Sequence, residues 1–284
     1  MPAAVHPGHT VVIALCFMRI CAIIPAYQAE RNVGDVTREA LRVDELAGAV
    51  FVVDDGSSDR TAELARAAGA TVLSHPENLG KGAALRTGME FALASGFDVA
   101  VTIDADGQHP PDEARRLVEA DADPEALVLG IRDLASAGAP RPNQISNRIS
   151  NFFLSLFVGR PFADTQCGLR RYPLRQTLSL GARDEGYAFE AEILLRAVAA
   201  GVRIVEVPIR VIYPPEDERL THFDSVRDPA RIVRRVVTTL ALTRGLRHVP
   251  AAPTPSPSAR RPAAASAIVA EIDPRPSQPT TASP

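Results

Sequence analysis

Short apolar runs recur along the first half of the chain, at 20–24 (ICAII), 50–53 (VFVV), 71–73 (TVL) and 99–103 (VAVTI). Between them the apolar positions repeat at three- and four-residue spacing. Unbroken apolar runs of this length predict strands buried on both faces, and the longer period predicts amphipathic helices over 33–46, 61–68 and 82–94. A helix over 112–120 and a strand over 127–130 continue the alternation. This order builds a mostly parallel central sheet flanked by helices, so the expected fold class is α/β. The second half is less regular, with helical patterns over 144–157, 187–200 and 229–244 and a strand over 202–207 ended by Pro208. It reads as a lid or acceptor region on the same domain. No internal repeat is visible.

Composition changes this picture at the ends of the chain. The 284 residues are 46% hydrophobic and 23% charged with a net charge of −3, which is ordinary soluble globular material without the basic balance that nucleic acid demands. From 250 to 284 there are nine Pro, nine Ala and no aromatic residue. Such a stretch cannot bury enough apolar surface to offset its ordering entropy. Residues 248–284 are therefore expected to be a disordered tail and 19–247 the domain. Residues 1–18 are expected to be an extension, disordered or the product of a start codon placed too early. The apolar run at 11–24 is too short to span a bilayer and is broken by Arg19, so no transmembrane segment is expected. Cys16, Cys21 and Cys167 are odd in number and form no CxxC pair, which favours a reducing, cytoplasmic setting over disulfides or zinc.

The chemistry concentrates where strands end. The run 99–103 leads directly into Asp104-Ala105-Asp106-Gly107-Gln108-His109. Carboxylates two apart at a strand exit project the same way and can share a hard divalent cation, with Gln108 as a further oxygen ligand. A second acidic loop, Asp54-Asp55-Gly56-Ser57-Ser58-Asp59, follows 50–53, and open α/β sheets bind ligands beyond the carboxyl ends of their strands. Pro25 and Tyr27 at the tip of the first strand offer a rigid turn and a ring for a flat base. Asp54 or Asp55 can accept hydrogen bonds from a base or ribose, whereas Asp59 suits the cap of the next helix. Asn78-Leu79-Gly80-Lys81-Gly82 sets a lysine at a helix start, where backbone N–H groups and the ammonium can face an anion together. It matches neither a Walker A loop nor a dinucleotide fingerprint. Arg132, Arg148, Arg170, Arg171 and Arg219, in or beside expected loops, suit a clamp for a diphosphate or an acceptor phosphate.

These segments, together with Asp164-Thr165-Gln166-Cys167-Gly168-Leu169-Arg170 and Gly186-Tyr187-Ala188-Phe189-Glu190-Ala191-Glu192, resemble the family 2 glycosyltransferases over roughly 19–245. The resemblance is to the dolichyl-phosphate mannosyltransferase and polyprenyl-phosphate sugar synthase branch. It implies a GT-A fold and an inverting enzyme using a nucleotide sugar with Mg²⁺ or Mn²⁺. It implies donor binding by Pro25, Tyr27, Glu30, Asp54, Asp55, Lys81 and Asp104. The metal would fall to Asp104, Asp106 and Gln108, and acceptor phosphate to Arg132, Arg148, Arg170 and Arg219. The family's acidic residue after the first-strand tyrosine falls on Ala29 or Glu30. Where the lipid-phosphate synthases often carry Ser-Lys, this chain has Leu220-Thr221-His222-Phe223, which leaves the acceptor open between a lipid phosphate and a glycan. A phosphate acceptor requires no general base; a hydroxyl acceptor requires one, and Asp164, Glu190 and Glu192 are the candidates.

Two other classes compete. The strand followed by DADG resembles the haloacid-dehalogenase-like phosphatases, but position 108 is Gln where they carry Thr. A non-catalytic nucleotide-sugar-binding protein is expected to lack a metal ligand, and none is missing. The stretch 229–247, with Arg231, Arg234 and Arg235 beside Ile232, Val233 and Leu240, fits a peripheral membrane face or a core helix with solvated arginines. Ile149, Phe152, Phe153, Leu156 and Phe157 pose the same choice.

Overall fold

The computed structural model describes residues 18–213 apart from Ala47 and Ala122. The extension at 1–17, Arg219, the segment 220–223, the helical pattern at 229–244 and the tail at 248–284 lie outside the described residues.

Strands β1 (Ile20–Ala26), β2 (Val50–Asp54), β3 (Thr71–Ser74), β4 (Val99–Thr102), β5 (Leu127–Arg132), β6 (Arg170–Pro173) and β7 (Ile204–Ile209) form one sheet in the order β3-β2-β1-β4-β6-β5-β7. β6 runs antiparallel to both neighbours, and the remaining pairings are parallel. Helices α1 (Val33–Ala40), α2 (Thr61–Ala67), α3 (Lys81–Ala94), α4 (Ala114–Glu119), α5 (Arg141–Val158), α6 (Leu174–Ser179) and α7 (Ala188–Ala199) flank it. The expected α/β class is the observed one.

Strand alternation divides the core in two. Cys21, Ile23, Phe51 and Val53 pack with Leu85 and Met89 of α3 and with Phe189 and Leu194 of α7. Ala22, Ile24, Val50 and Val52 pack on the other side with Val33 and Val36 of α1 and Leu117 of α4. Both sets are apolar because both faces are covered. Each wholly buried Ile contributes about 1.5–3 kcal/mol relative to exposure.

Several boundaries differ from the sequence pattern. The helix expected over 33–46 ends at Ala40, and a 3₁₀ turn, Asp44–Leu46, follows. Val43 and Leu46 are both buried, and three-residue spacing stacks them on one side of such a turn. The 112–120 helix is likewise a 3₁₀ turn, Pro111–Glu113, leading into α4. β7 continues through Pro208 to Ile209; it is the edge strand, where a missing N–H is tolerated. β6 and α6 were not foreseen, because two adjacent arginines before a proline look like a loop. In the structure Arg170 and Arg171 are wholly buried on opposite faces of the sheet. Arg170 donates to the carbonyls of Cys167 (2.7 Å), Thr165 (2.7 Å) and Glu190 (3.2 Å). Arg171 donates to those of Val118 (3.0 Å) in the last turn of α4 and of Asp121 (2.9 Å) and Asp123 (2.6 Å) beyond it. The second half thus completes the sheet.

β1, β2 and β3 follow one another to one side, and β4 then joins the other side of β1, so the topology reverses between β1 and β4. The β1–β4 register ends at Ile23 and Thr102, just before Ile103 N–H donates to Ile23 (3.0 Å). Pro25 is the next β1 residue aimed that way and has no N–H to offer. It lies buried opposite Val53 one residue from the end of β1, close to the strand tip as the sequence suggested. The two strands part beside it, and the acidic loops open there.

Candidate active site

The Asp104–Gln108 loop is held from three directions. Asp106 Oδ1 accepts from Gln108 N–H (2.9 Å), and Asn32, before α1, donates its side-chain amide to the Asp106 carbonyl (2.7 Å). Gly168 faces Asp104 with no side chain: a Cβ there would lie 2.1 Å from Asp104 Oδ2. Its carbonyl accepts from Thr102 Oγ1 (2.7 Å), which pins the two segments together. Lys81 Nζ reaches Asp104 Oδ1 at 2.7 Å and Glu190 Oε2 at 3.2 Å, and lies 5.9 Å from the Tyr187 ring centre.

Electrostatics separate the two carboxylates. Burial works against the Asp104 charge, but the Lys81 ammonium beside it holds its pKa below the usual range. For Asp106, burial and then the Asp104 charge push the pKa up to about 6. Two carboxylates on one loop, one raising the other's cost of ionisation, with a glycine cleared in front, form a donor set suited to a divalent cation. Among the described residues no third His, Cys, Asp or Glu joins them. Gln108 and oxygens of a bound ligand would complete the set. Next to it His109 is buried, its pKa pushed down to about 4 chiefly by burial, with Nε2 3.7 Å from Cys167 Sγ.

At the β1 and β2 ends, the two aspartates that were interchangeable in sequence part company. Asp55 is fully engaged: it accepts from His75 Nδ1 (2.6 Å), Leu79 N–H (3.0 Å) and Gly80 N–H (2.7 Å). Asp54, also buried, accepts from Ser57 N–H (3.2 Å) and keeps acceptor capacity for a ligand. Tyr27 follows β1 half-buried. Gln28 sits at φ 49° in the left-handed region, with its N–H on Ser57 Oγ (2.9 Å) and its side-chain amide on Ser58 Oγ (2.8 Å). Held strain of this kind clusters at ligand sites. Glu30 is exposed and accepts from Arg60 N–H (3.2 Å), an attachment to the Asp59 turn rather than to the crevice. Asp59 accepts from Thr61 N–H (3.0 Å), the first residue of α2, but stands one position before the cap, which is Arg60.

The Lys81 loop corrects one expectation. Gly82 and Ala83 N–H groups both donate to the Glu185 carbonyl (2.7 and 3.2 Å), and a Cβ on Gly82 would lie 2.4 Å from the Asp184 carbonyl oxygen. The start of α3 is therefore capped by protein. The charge offered to an anion is the ammonium of Lys81.

The residues from the second half divide into two groups. Arg132, at the end of β5, makes a two-pronged pair with buried Asp164 (Nε–Oδ2 2.7 Å, Nη2–Oδ1 3.1 Å). Arg148 is exposed on α5 and, among the described residues, has no ion-pair partner. α5 is tied to the Asp164 loop, because Asn151 donates to the Ala163 carbonyl (2.6 Å) and accepts from Thr165 N–H (2.8 Å). Glu190 faces Lys81. The expectations for Arg170 and Glu192 are corrected: Arg170 is buried and its donors are used on protein carbonyls, so it props the Glu190 segment and does not reach a ligand. Glu192 points the opposite way, accepting from Arg183 and Asp184 N–H groups (3.0 and 2.9 Å) and pairing with Arg196 (2.8 Å), because two residues along a helix turn to different faces. Asn32, His75 and Gly168 were missed; only Gly168, inside a motif already singled out, carried a signal. On α5, Ile145, Ile149, Phe152 and Leu156 form an exposed apolar stripe, and no helix among the described residues is long and apolar enough to cross a membrane.

Residues 21–176 match the family described as Glycosyl transferase family 2. Polyprenol monophosphomannose synthase of Mycolicibacterium smegmatis is 30% identical over 224 residues, covering 73% of this chain and 79% of that protein. The UDP-N-acetylglucosamine–dolichyl-phosphate N-acetylglucosaminyltransferase of Methanococcus voltae is 30% identical over 217 residues, covering 68% and 86%. Among solved structures, glucosyl-3-phosphoglycerate synthase from Mycobacterium tuberculosis, in complex with Mn²⁺, UDP and phosphoglyceric acid, superposes with a TM-score of 0.62 at 21% identity, covering 86% of this chain and 84% of that one. The likeness is one of GT-A fold.

Proposed function

The chain belongs to glycosyl transferase family 2, and from that premise we propose that it moves a hexose from a nucleoside diphosphate sugar to the phosphate of a polyprenyl lipid, inverting the anomeric centre. The observation that carries the choice of acceptor is the state of the three candidate bases. Asp164 is clamped by Arg132, Glu190 is paired with Lys81, and Glu192 is turned away onto Arg196. No carboxylate among these three is free to take a proton from a neutral hydroxyl. A phosphate acceptor is already an anion and requires none. The named acceptors of the Mycolicibacterium and Methanococcus relatives are polyprenol and dolichyl phosphates, which supports the same choice.

In this reading Tyr27 and Asp54 receive the base and ribose. Asp104 and Asp106, with Gln108, would hold Mg²⁺ or Mn²⁺, which supplies charge neutralisation to the departing nucleoside diphosphate. Lys81 keeps a positive charge beside the same phosphates. Arg132 and Arg148 hold the acceptor phosphate; Asp164 orients the Arg132 guanidinium and limits its motion. An acceptor oxygen attacks the anomeric carbon, the bond from that carbon to the diphosphate oxygen breaks, and its electron pair leaves with the nucleotide. No proton is transferred. The exposed stripe on α5, which also carries Arg148, is assigned to the surface of a membrane holding the acceptor, as a peripheral contact on the cytoplasmic face.

The test is transfer by the full chain from GDP-mannose and from UDP-hexoses, with Mn²⁺, to undecaprenyl phosphate and to undecaprenol. Sugar should appear on the phosphate alone, with inverted configuration. Transfer to the alcohol, or to a glycan hydroxyl in place of the phosphate, overturns the reading.

A further inference from the structure

Lys81 stands between two carboxylates with different duties. Its ammonium is 2.7 Å from Asp104 on the metal loop and 3.2 Å from Glu190 on α7. The backbone around it is fixed, because Gly80 N–H is bound to Asp55 and Gly82 N–H to the Glu185 carbonyl. Any movement of the charge must therefore come from the side chain. Glu190 has spare capacity to receive it. Its Oε1 is buried and makes no hydrogen bond among the described residues, and Arg170 Nε lies 3.8 Å from it. A short contact on one carboxylate and a longer one on a second with an unused oxygen describe an ammonium with somewhere to go.

We propose that Lys81 is an internal counter-ion that occupies Asp104 in the unliganded protein and is handed to Glu190 when a nucleoside diphosphate and its cation enter together. The site then rejects free divalent ions and accepts the metal–nucleotide complex. This rests on the reading that Asp104 and Asp106 hold a cation under a nucleotide. A lone divalent ion would have to displace a unit positive charge from Asp104 or sit beside it; the diphosphate brings negative charge that compensates both. Glu190 is in this view a positioning residue. It acts through Lys81 and not on the sugar or the acceptor.

The experiment is Mn²⁺ binding to the full chain without nucleotide, read as loss of the free-ion electron paramagnetic resonance signal, for wild type, Lys81→Met, Glu190→Gln and the double variant. Lys81→Met should tighten Mn²⁺ binding by about tenfold, within the usual range of coupling between two ligands. Glu190→Gln should weaken it by about threefold, and should change it by less than about twofold once Lys81 is absent, because neighbours acting through one another are not additive. Lys81→Arg keeps the charge and should bind as weakly as wild type; Lys81→Gln serves in place of the methionine variant if that does not fold. Unchanged or weaker binding in Lys81→Met, or the same factor for Glu190→Gln in both backgrounds, overturns the hand-over. Mn²⁺ binding that neither UDP nor GDP strengthens in wild type overturns the metal–nucleotide reading together with it, whereas nucleotide-strengthened binding with an unaltered Lys81→Met overturns the hand-over alone.

Discussion

Replacing Gly168 by alanine is the smallest change that should disable the site. The added Cβ would lie 2.1 Å from Asp104 Oδ2, 2.5 Å from its Cγ and 2.6 Å from its Oδ1. The backbone of Gly168 cannot withdraw, because its carbonyl is bound to Thr102 Oγ1 and its neighbours Cys167 and Leu169 are wholly buried. The carboxylate must yield instead. Reaching an ordinary separation moves it by about 1 Å, and a misplacement of that size at a reacting centre costs about 10²-fold in rate. That factor corresponds to about 2.7 kcal/mol of transition-state stabilisation. Overpacking in the folded state adds a destabilisation of about 1–3 kcal/mol. The assay pairs kcat/KM for sugar transfer with urea unfolding, and adds the thermal shift produced by UDP or GDP with Mn²⁺. The variant should remain folded, lose about 10²-fold in kcat/KM and lose the metal-dependent part of the shift. A variant within threefold of wild type in transfer, with its metal-dependent shift intact, would falsify the contact as the support of Asp104.

Asp55→Ala removes the acceptor of two backbone N–H groups and His75, and should destabilise the protein by about 2–5 kcal/mol in urea unfolding. Asp54→Asn should change stability by less than about 1 kcal/mol while weakening nucleotide binding in titration calorimetry; the opposite pattern would reverse their roles. Arg171→Met strands three carbonyls at and beyond the end of α4 and should lower stability by at least about 3 kcal/mol, a loss that unchanged melting would refute. Burial pushes the Cys21 and Cys167 thiols up to about 12. In a Cys16→Ser background neither should react with a thiol reagent at pH 8 until the protein unfolds. Since the folded pKa is raised, their contribution is present below about pH 8.5, the unfolded value, and declines as pH rises towards 12. Cys21→Ala should flatten that alkaline decline in melting temperature.

The first half of the molecule was legible because its signals are local. Four apolar runs, and the acids that follow two of them, announce strands and their exits, and a parallel order carries those exits to one edge. The second half was opaque for the opposite reason. Arg170 and Arg171 look solvated in sequence, and only carbonyls supplied by residues up to about fifty positions away make them interior; no window along the chain contains both the charge and its compensation. The same holds within the site. Asp54 and Asp55 are adjacent and chemically equal, and what separates them is that the Asn78–Lys81 loop folds back onto one of them. Glu190 and Glu192 were separable in principle by helical period, but which one faces Lys81 depends on where α7 lies against the sheet. Asn32 and His75 carry no sequence signal, since each acts through a backbone atom or a carboxylate brought from elsewhere.

The place of β6 has a consequence for how the chain is made. β1 to β4 can pair in the order in which they leave the ribosome. β5 cannot join them, because its neighbour on that side is β6, which is synthesised some forty residues later and runs the other way. Until Arg170–Pro173 arrives, the β4 edge stands open and the crevice lacks the side that β5 and β6 supply. The closing step also withdraws two guanidinium groups from water at once, one to each face, so the carbonyls that receive them must already be in position. Completion of the active site and closure of the sheet are one late, long-range event.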